Sequence, residues 1–163
     1  MKNNRKLFGL IAVAMVAMLA FAACGNGSTD PDPVQKKLTI TGLTGLSGEA
    51  MVMLYPIAMA AEPTLGTKEE VPMGSTSFTF SLFEAVGSSE VPWTGSADVY
   101  VLLNFTDMGA FFVYTNGSSL AELGISDFMD DIAGNMEKLP KLAIIQDVTT
   151  VDMGKFKSIV VVP

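Results

Sequence analysis

The chain has 163 residues, 49% apolar and 17% charged, with a formal charge of −7, no His and one Cys. That length suits one ordinary domain, and a mean hydropathy of +0.41 is high for a soluble protein. Lacking imidazole, the chain has no Ser-His-Asp or Cys-His proton relay and no His-ligated metal site. One Cys excludes an intrachain disulfide, a CxxC redox pair and a four-Cys metal site, so a hydrophobic core must supply the stability.

The segment Met1-Lys2-Asn3-Asn4-Arg5-Lys6 carries three positive charges and no negative one, and Leu7 to Ala23 then runs 17 residues without a charge up to Cys24. A basic start, an apolar run and small residues at the junction are the parts of a secretory signal, with the basic end held on the cytoplasmic side. A transmembrane helix is the plainer alternative. Seventeen residues are at the short limit for crossing ~30 Å of hydrocarbon, and no basic stop-transfer cluster follows.

The junction Phe21-Ala22-Ala23-Cys24 resembles the lipobox of bacterial lipoproteins. Ala22, Ala23 and Cys24 match the pattern, while Phe21 stands where an aliphatic residue is commoner, as in the relaxed lipoboxes of spirochaetal lipoproteins. The resemblance covers residues 1–24 and implies that residues 1–23 are a signal peptide, removed once Cys24 has received a diacylglyceryl thioether. Several acyl chains on one Cys would hold the protein at a membrane, each buried methylene contributing ~0.8 kcal/mol. No other cofactor is implied. Export to the cell envelope follows, at the outer membrane or the outer face of the inner one.

The body after Cys24 keeps seven basic side chains against all 17 acidic ones, a balance of −10. Such a body repels phosphate backbones, which are bound through Lys and Arg, so nucleic acid is not an expected partner. Residues 24–36 read as a lipidated flexible tether: Gly25 to Gln35 is rich in Gly, Pro and Asp and has no apolar periodicity. Residues 37–163 read as one β-rich domain.

Strands are expected at Leu38–Thr41, Ala50–Tyr55 and Ser77–Phe83, where Phe78, Phe80 and Leu82 share one face and Thr79 and Ser81 the other. Asp98–Phe105 and Ala110–Thr115 read as central strands, and Leu142–Ile145, Val148–Val151 and Phe156–Val162 complete the set. Met51 and Met53 fall on one face of their strand and Val52 and Leu54 on the other, which predicts burial on both sides. Met59 and Met73 add to a Met-rich stretch suited to core filling or to an adaptable surface. Short strands separated by Gly, Pro and Asn-Gly predict an all-β fold, a small antiparallel sandwich of Ig-like or Greek-key type with about seven or eight strands. A small β-barrel is the alternative.

One helix is expected in Ser126–Leu139, where Phe128, Met129, Ile132, Met136 and Leu139 recur at helical spacing behind Ser126 as N-cap, closing one end of the sheets. Asp107-Met108-Gly109-Ala110-Phe111 is echoed by Asp152-Met153-Gly154-Lys155-Phe156. A repeated tight turn and a duplicated half-domain both account for it. Asn116-Gly117 reads as a turn; with Asn104-Phe105-Thr106 it also matches the glycosylation pattern, which carries little weight in a bacterial lipoprotein.

The densest carboxylate cluster, Asp127, Asp130 and Asp131, suits a hydrolase or a Ca²⁺ site, or equally the acidic start of a helix. Asp30 and Asp32 offer only two carboxylates in the tether, and no metal site is assigned. Nucleophile motifs of the Ser-x-x-Lys, Gly-x-Ser-x-Gly and aspartic-protease types do not occur, so no catalytic residue is assigned and an enzyme is not expected. Trp93, Tyr55, Tyr100 and Tyr114 are the candidate ligand contacts: exposed, such rings stack on sugars or anchor proteins, and buried, they fill the core. Four readings follow. They are a non-catalytic envelope interaction domain, a glycan- or envelope-polymer-binding module that needs Trp93 exposed, a carboxylate hydrolase, and a lipocalin-like carrier, whose Gly-x-Trp signature is missing.

Overall fold

The computed structural model describes residues 33–56 and 64–159. The expected signal peptide, residues 24–32 of the expected tether with Cys24, Met59 and the end of the Phe156–Val162 strand lie outside them.

The first strand, β1 (Lys37–Thr41), alternates apolar and polar residues and buries Leu38 and Ile40. Next come β2 (Gly48–Tyr55), β3 (Leu65–Val71), β4 (Ser77–Ser81), β5 (Phe83–Val86) and β6 (Ser89–Pro92). The rest are β7 (Ala97–Phe105), β8 (Ala110–Tyr114), β9 (Leu142–Ile144), β10 (Val148–Asp152) and β11 (Phe156–Ile159), with one helix, α1 (Ile132–Lys138), between β8 and β9. Three strands form one sheet in the order β10-β1-β4. Eight form the other, β11-β8-β7-β2-β3-β5-β6 with β9 added beside β7. The all-β sandwich is therefore the fold, built from eleven strands among the described residues rather than seven or eight. One pairing departs from the antiparallel expectation: β1 and β10 run parallel, with Leu38 opposite Thr149 and Ile40 opposite Val151.

The main core lies between the sheets. Leu38, Ile40, Phe80 and Val151 project from the smaller sheet; Val52, Leu54, Val101, Leu103 and Phe105 project from the larger. Burying each such side chain fully contributes about 1.5–3 kcal/mol. A second core covers the opposite face of the larger sheet, where Met53, Tyr100, Leu102, Val113 and Ile159 pack under Ile125, Phe128, Met136 and Leu139. This is why β2 and β7 carry apolar residues on both faces: each lies inside the sheet, with a layer above and below.

Three expectations are corrected. The run Ser77–Phe83 is not one strand; the chain leaves the smaller sheet at Ser81 and joins the larger at Phe83. Leu82, fully buried at the crossing, donates its N–H to Lys36 O and accepts from Trp93 N. The helix is shorter than Ser126–Leu139 and starts at Asp131, whose Oδ1 accepts from Gly134 N at 3.1 Å. Asp127 spends its Oδ1 on Met129 N in a tight turn, which leaves the chain non-helical until Asp131 offers a cap. The segment also covers a sheet face rather than a sheet end.

Candidate functional site

The four candidate aromatic contacts are not brought together. Trp93 is buried among residues of the main core and only 6% exposed. Its backbone ties two elements, N–H to Leu82 O at 3.0 Å and C=O from Lys36 N at 2.7 Å. Gly95 lies so close to the indole that a Cβ there would stand 2.7 Å from Nε1. Trp93 thus fills the core, and the exposed Trp platform that the glycan reading required is not found at this residue. Tyr114 also faces the main core, edge-on to Phe156 at 5.5 Å. Tyr55 and Tyr100 belong to the second core, where they are cross-strand partners. Lys141 Nζ sits 5.1 Å from the Tyr100 ring centroid, and Tyr55 OH meets Met53 Sδ. Burial raises the phenol pKa of Tyr55 and of Tyr114, disfavouring the phenolate.

The acidic cluster is local scaffolding. Asp127, Asp130 and Asp131 are all exposed, and two of them accept backbone N–H groups. Among the described residues no group of three or more His, Cys, Asp or Glu side chains could hold a metal ion. In the same segment Glu122 accepts from the N–H and hydroxyl of Ser119, and these bonds lower its carboxyl pKa. Ser118 N bonds Thr115 O across Asn116 (φ 52°) and Gly117 (φ 95°), which is the expected Asn-Gly turn.

Within the second core, the buried Asn104 leaves its Oδ1 without a hydrogen-bond partner. An unpaired buried acceptor costs about 1–3 kcal/mol, whereas an apolar side chain of similar volume carries no such cost. Asn104→Leu is therefore expected to raise folding stability by about 1 kcal/mol, read as a higher denaturant midpoint at unchanged slope. A lower midpoint would show that the amide is satisfied.

The two Asp-Met-Gly copies stand at one end of the sandwich, each opening or forming a 3-10 turn, Thr106–Met108 and Met153–Lys155. They flank the β1–β2 connection. Asp107 Oδ2 accepts from Glu49 N at 3.1 Å, and Asp152 Oδ2 accepts from the Thr41 hydroxyl at 3.1 Å. Gly42 (φ 75°) and Gly48 (φ 90°) turn the connection where those carboxylates press closest. A Cβ would lie 3.0 Å from Asp152 Oδ2 and 2.6 Å from Asp107 Oδ2, respectively. The echo is a repeated turn, not a duplicated half-domain: β7 and β8 are neighbours in one sheet, whereas β10 and β11 lie in different sheets. Gly42 N and Leu43 N both bond Thr76 O, which brings the β3–β4 turn to the same end. Four connections thus form one loop-built pole, held by the Asp107 and Asp152 carboxylates and by backbone bonds to Thr76, and open to solvent at Thr44, Gly45, Met73 and Met108.

The opposite pole receives the chain from the N-terminal side. Gln35 and Lys36, expected at the end of the tether, are held by the domain. Gln35 Nε2 donates to Leu82 O at 2.9 Å, and Lys36 Nζ lies 3.1 Å from both Ile145 O and Asp147 Oδ1. The Lys36 side chain is only 9% exposed. Nothing in the sequence marks it, because its partners lie more than 100 residues away. The ion pair Lys68–Glu49 joins the neighbouring strands β2 and β3, and the pairing of those strands sets it. Among the described residues no helix is long and apolar enough to cross a membrane. Comparison of the chain with family models, with curated proteins and with solved structures gave no match.

Proposed function

We propose that this chain is a lipid-anchored lipoprotein of the bacterial cell envelope whose β-sandwich is a non-catalytic interaction module. The observation that carries the reading is the junction Phe21-Ala22-Ala23-Cys24 behind a basic start and a charge-free apolar run. The fold is compatible with it in two respects. The chain enters the sandwich at Gln35 and Lys36, close behind Cys24 in sequence. The loop-built pole lies at the other end of β1, directed away from the anchor and free to meet a partner. An envelope glycan or a protein is the partner class; a glycan would be met by these loops, since Trp93 is in the core.

The test is metabolic labelling with palmitate of cells making the full chain or its Cys24→Ala variant, followed by membrane fractionation. The parent chain is expected to carry label and sediment with membranes. The variant is expected to lose the label and, since removal of residues 1–23 follows lipidation, to keep its apolar segment and run as the larger, uncleaved chain. An unlabelled parent, or a variant that still takes up label or is still shortened, overturns the reading.

A further inference from the structure

The described residues leave seven large hydrophobic side chains well exposed, and four of them surround the point where the chain enters the sandwich. These are Val34 (55% exposed), Ile145 (63%), Val148 (47%) and Val91 (38%). Their grouping follows from backbone contacts. Val148 is the cross-strand partner of Lys37, and Lys37 N bonds Asp147 O at 2.8 Å. Ile145 O accepts from Lys36 Nζ, and Lys36 N bonds Trp93 O two residues beyond Val91. Each of the four therefore lies within two residues of Lys36 itself or of a group bonded to Lys36 or Lys37. They come from three separate parts of the sequence, so no single amphipathic segment explains the patch. Of the carboxylates nearby, Asp147 is paired with Lys36 at 3.1 Å, while Glu84 stands opposite Val91 and Glu90 precedes it at the edge of the patch.

We infer that this pole is a bilayer-contact surface: the sandwich stands with Val34, Val91, Ile145 and Val148 against the lipid headgroup and acyl boundary. The inference rests on the anchor at Cys24 proposed above. Val34 is ten residues from Cys24, and the coil expected of that composition would span roughly 16–19 Å. The nine-residue β7 alone measures about 30 Å at ~3.3 Å per residue. A tether shorter than the domain brings the pole it enters to the membrane before any other. Side chains partitioning there recover burial that they lack in solution. Contact at one pole also keeps the remaining acidic surface away from anionic headgroups.

The test uses the full lipidated chain, in which Cys24 is blocked by its thioether, so that one introduced Cys is the only free thiol. Ile145→Cys reports the patch. Met73→Cys, 91% exposed on the β3–β4 turn of the opposite pole, is the control. Each is labelled with a fluorophore and reconstituted in phosphatidylcholine vesicles carrying a headgroup-level quencher. Loss of most of the emission at position 145, with little loss at 73, is the expected result. Vesicle-bound chain with equal quenching at both positions, or stronger quenching at 73, overturns the orientation while leaving the anchor standing. Chain that stays off the vesicles, with Cys24 itself labelled, overturns the anchor and this inference with it.

Discussion

Replacing Trp93 by Ala is expected to cost about 3–5 kcal/mol of folding stability, the range for removing a large aromatic from a packed core. The indole is among the main-core residues beside the point where β4 passes into β5 and the N-terminal segment joins the domain. Its removal leaves a cavity that the surroundings cannot close, because Lys36 and Leu82 are fixed to the Trp93 backbone on either side. A domain of ordinary stability, about 5–15 kcal/mol, would lose a fifth or more of its margin. Chemical denaturation of the two proteins measures the difference. A variant within ~0.5 kcal/mol of the parent, the range for surface changes, would show that the ring is not in the core. The parent's Trp emission, from its one Trp, is expected to be that of an apolar environment and to ignore added glycans. A glycan-dependent shift would bring back the reading that the buried ring now disfavours.

The second large effect is expected at Gly66, where Ala should destabilise by about 1–3 kcal/mol, the cost of forcing extra volume into a packed site. Gly66 lies in β3 between Met53 of β2 and Phe83 of β5. A Cβ there would strike the Val52 carbonyl oxygen, which is backbone and cannot rotate away. To make room, β3 must move off β2, and the β5–β6 hairpin hangs on β3. The loss is therefore expected to show in hydrogen exchange as faster exchange of β3 amides than of β7 amides. Unchanged exchange and stability would mean that the strands stand further apart than described.

Gly66 also shows where sequence reading ran out. Strands with a continuous apolar or alternating face, β1, β2, β7 and β8, were legible, since burial on one face or on both leaves period two or an unbroken run. The β3 segment Leu65-Gly66-Thr67-Lys68-Glu69-Glu70-Val71 was not. Its Leu65, Thr67 and Val71 do alternate inward, but three charged residues in a row mask the pattern. Lys68 finds Glu49 across the pair, and Glu69 accepts Ser81 N at 2.7 Å. The β5–β6 hairpin was missed because most of it is exposed and so shows little hydrophobic pattern, although Gly87-Ser88 between two short runs was a turn signal. At the helix, apolar spacing over Ser126–Leu139 was real. All five of its apolar residues pack on the second core, yet only seven residues of the segment are helical.

The candidate contacts divide in the same way. Composition identifies Trp93, Tyr55, Tyr100 and Tyr114 as the rings able to bind something, but burial is a property of the whole packed chain. Trp93 and Tyr114 face one core, while Tyr55 and Tyr100 face the other. The alternation that put Met51 and Met53 opposite Val52 and Leu54 did foretell two covered faces, because side-chain direction along a strand is set locally.

By itself, then, the sequence determined what local chemistry carries. It set the all-β class through alternation, the buried central strands, the tight turns at Asn116-Gly117 and the Asp-Met-Gly copies, and the lipoprotein-like junction at Cys24. Only the tertiary structure decided what depends on residues far apart in the chain. It paired β1 with β10 in parallel, split Ser77–Phe83 between two sheets, sealed Trp93 inside, and gathered Val34, Val91, Ile145 and Val148 at one pole. Those outcomes are set by the joint burial of surfaces from distant segments, and no short window of sequence contains both sides of such a contact.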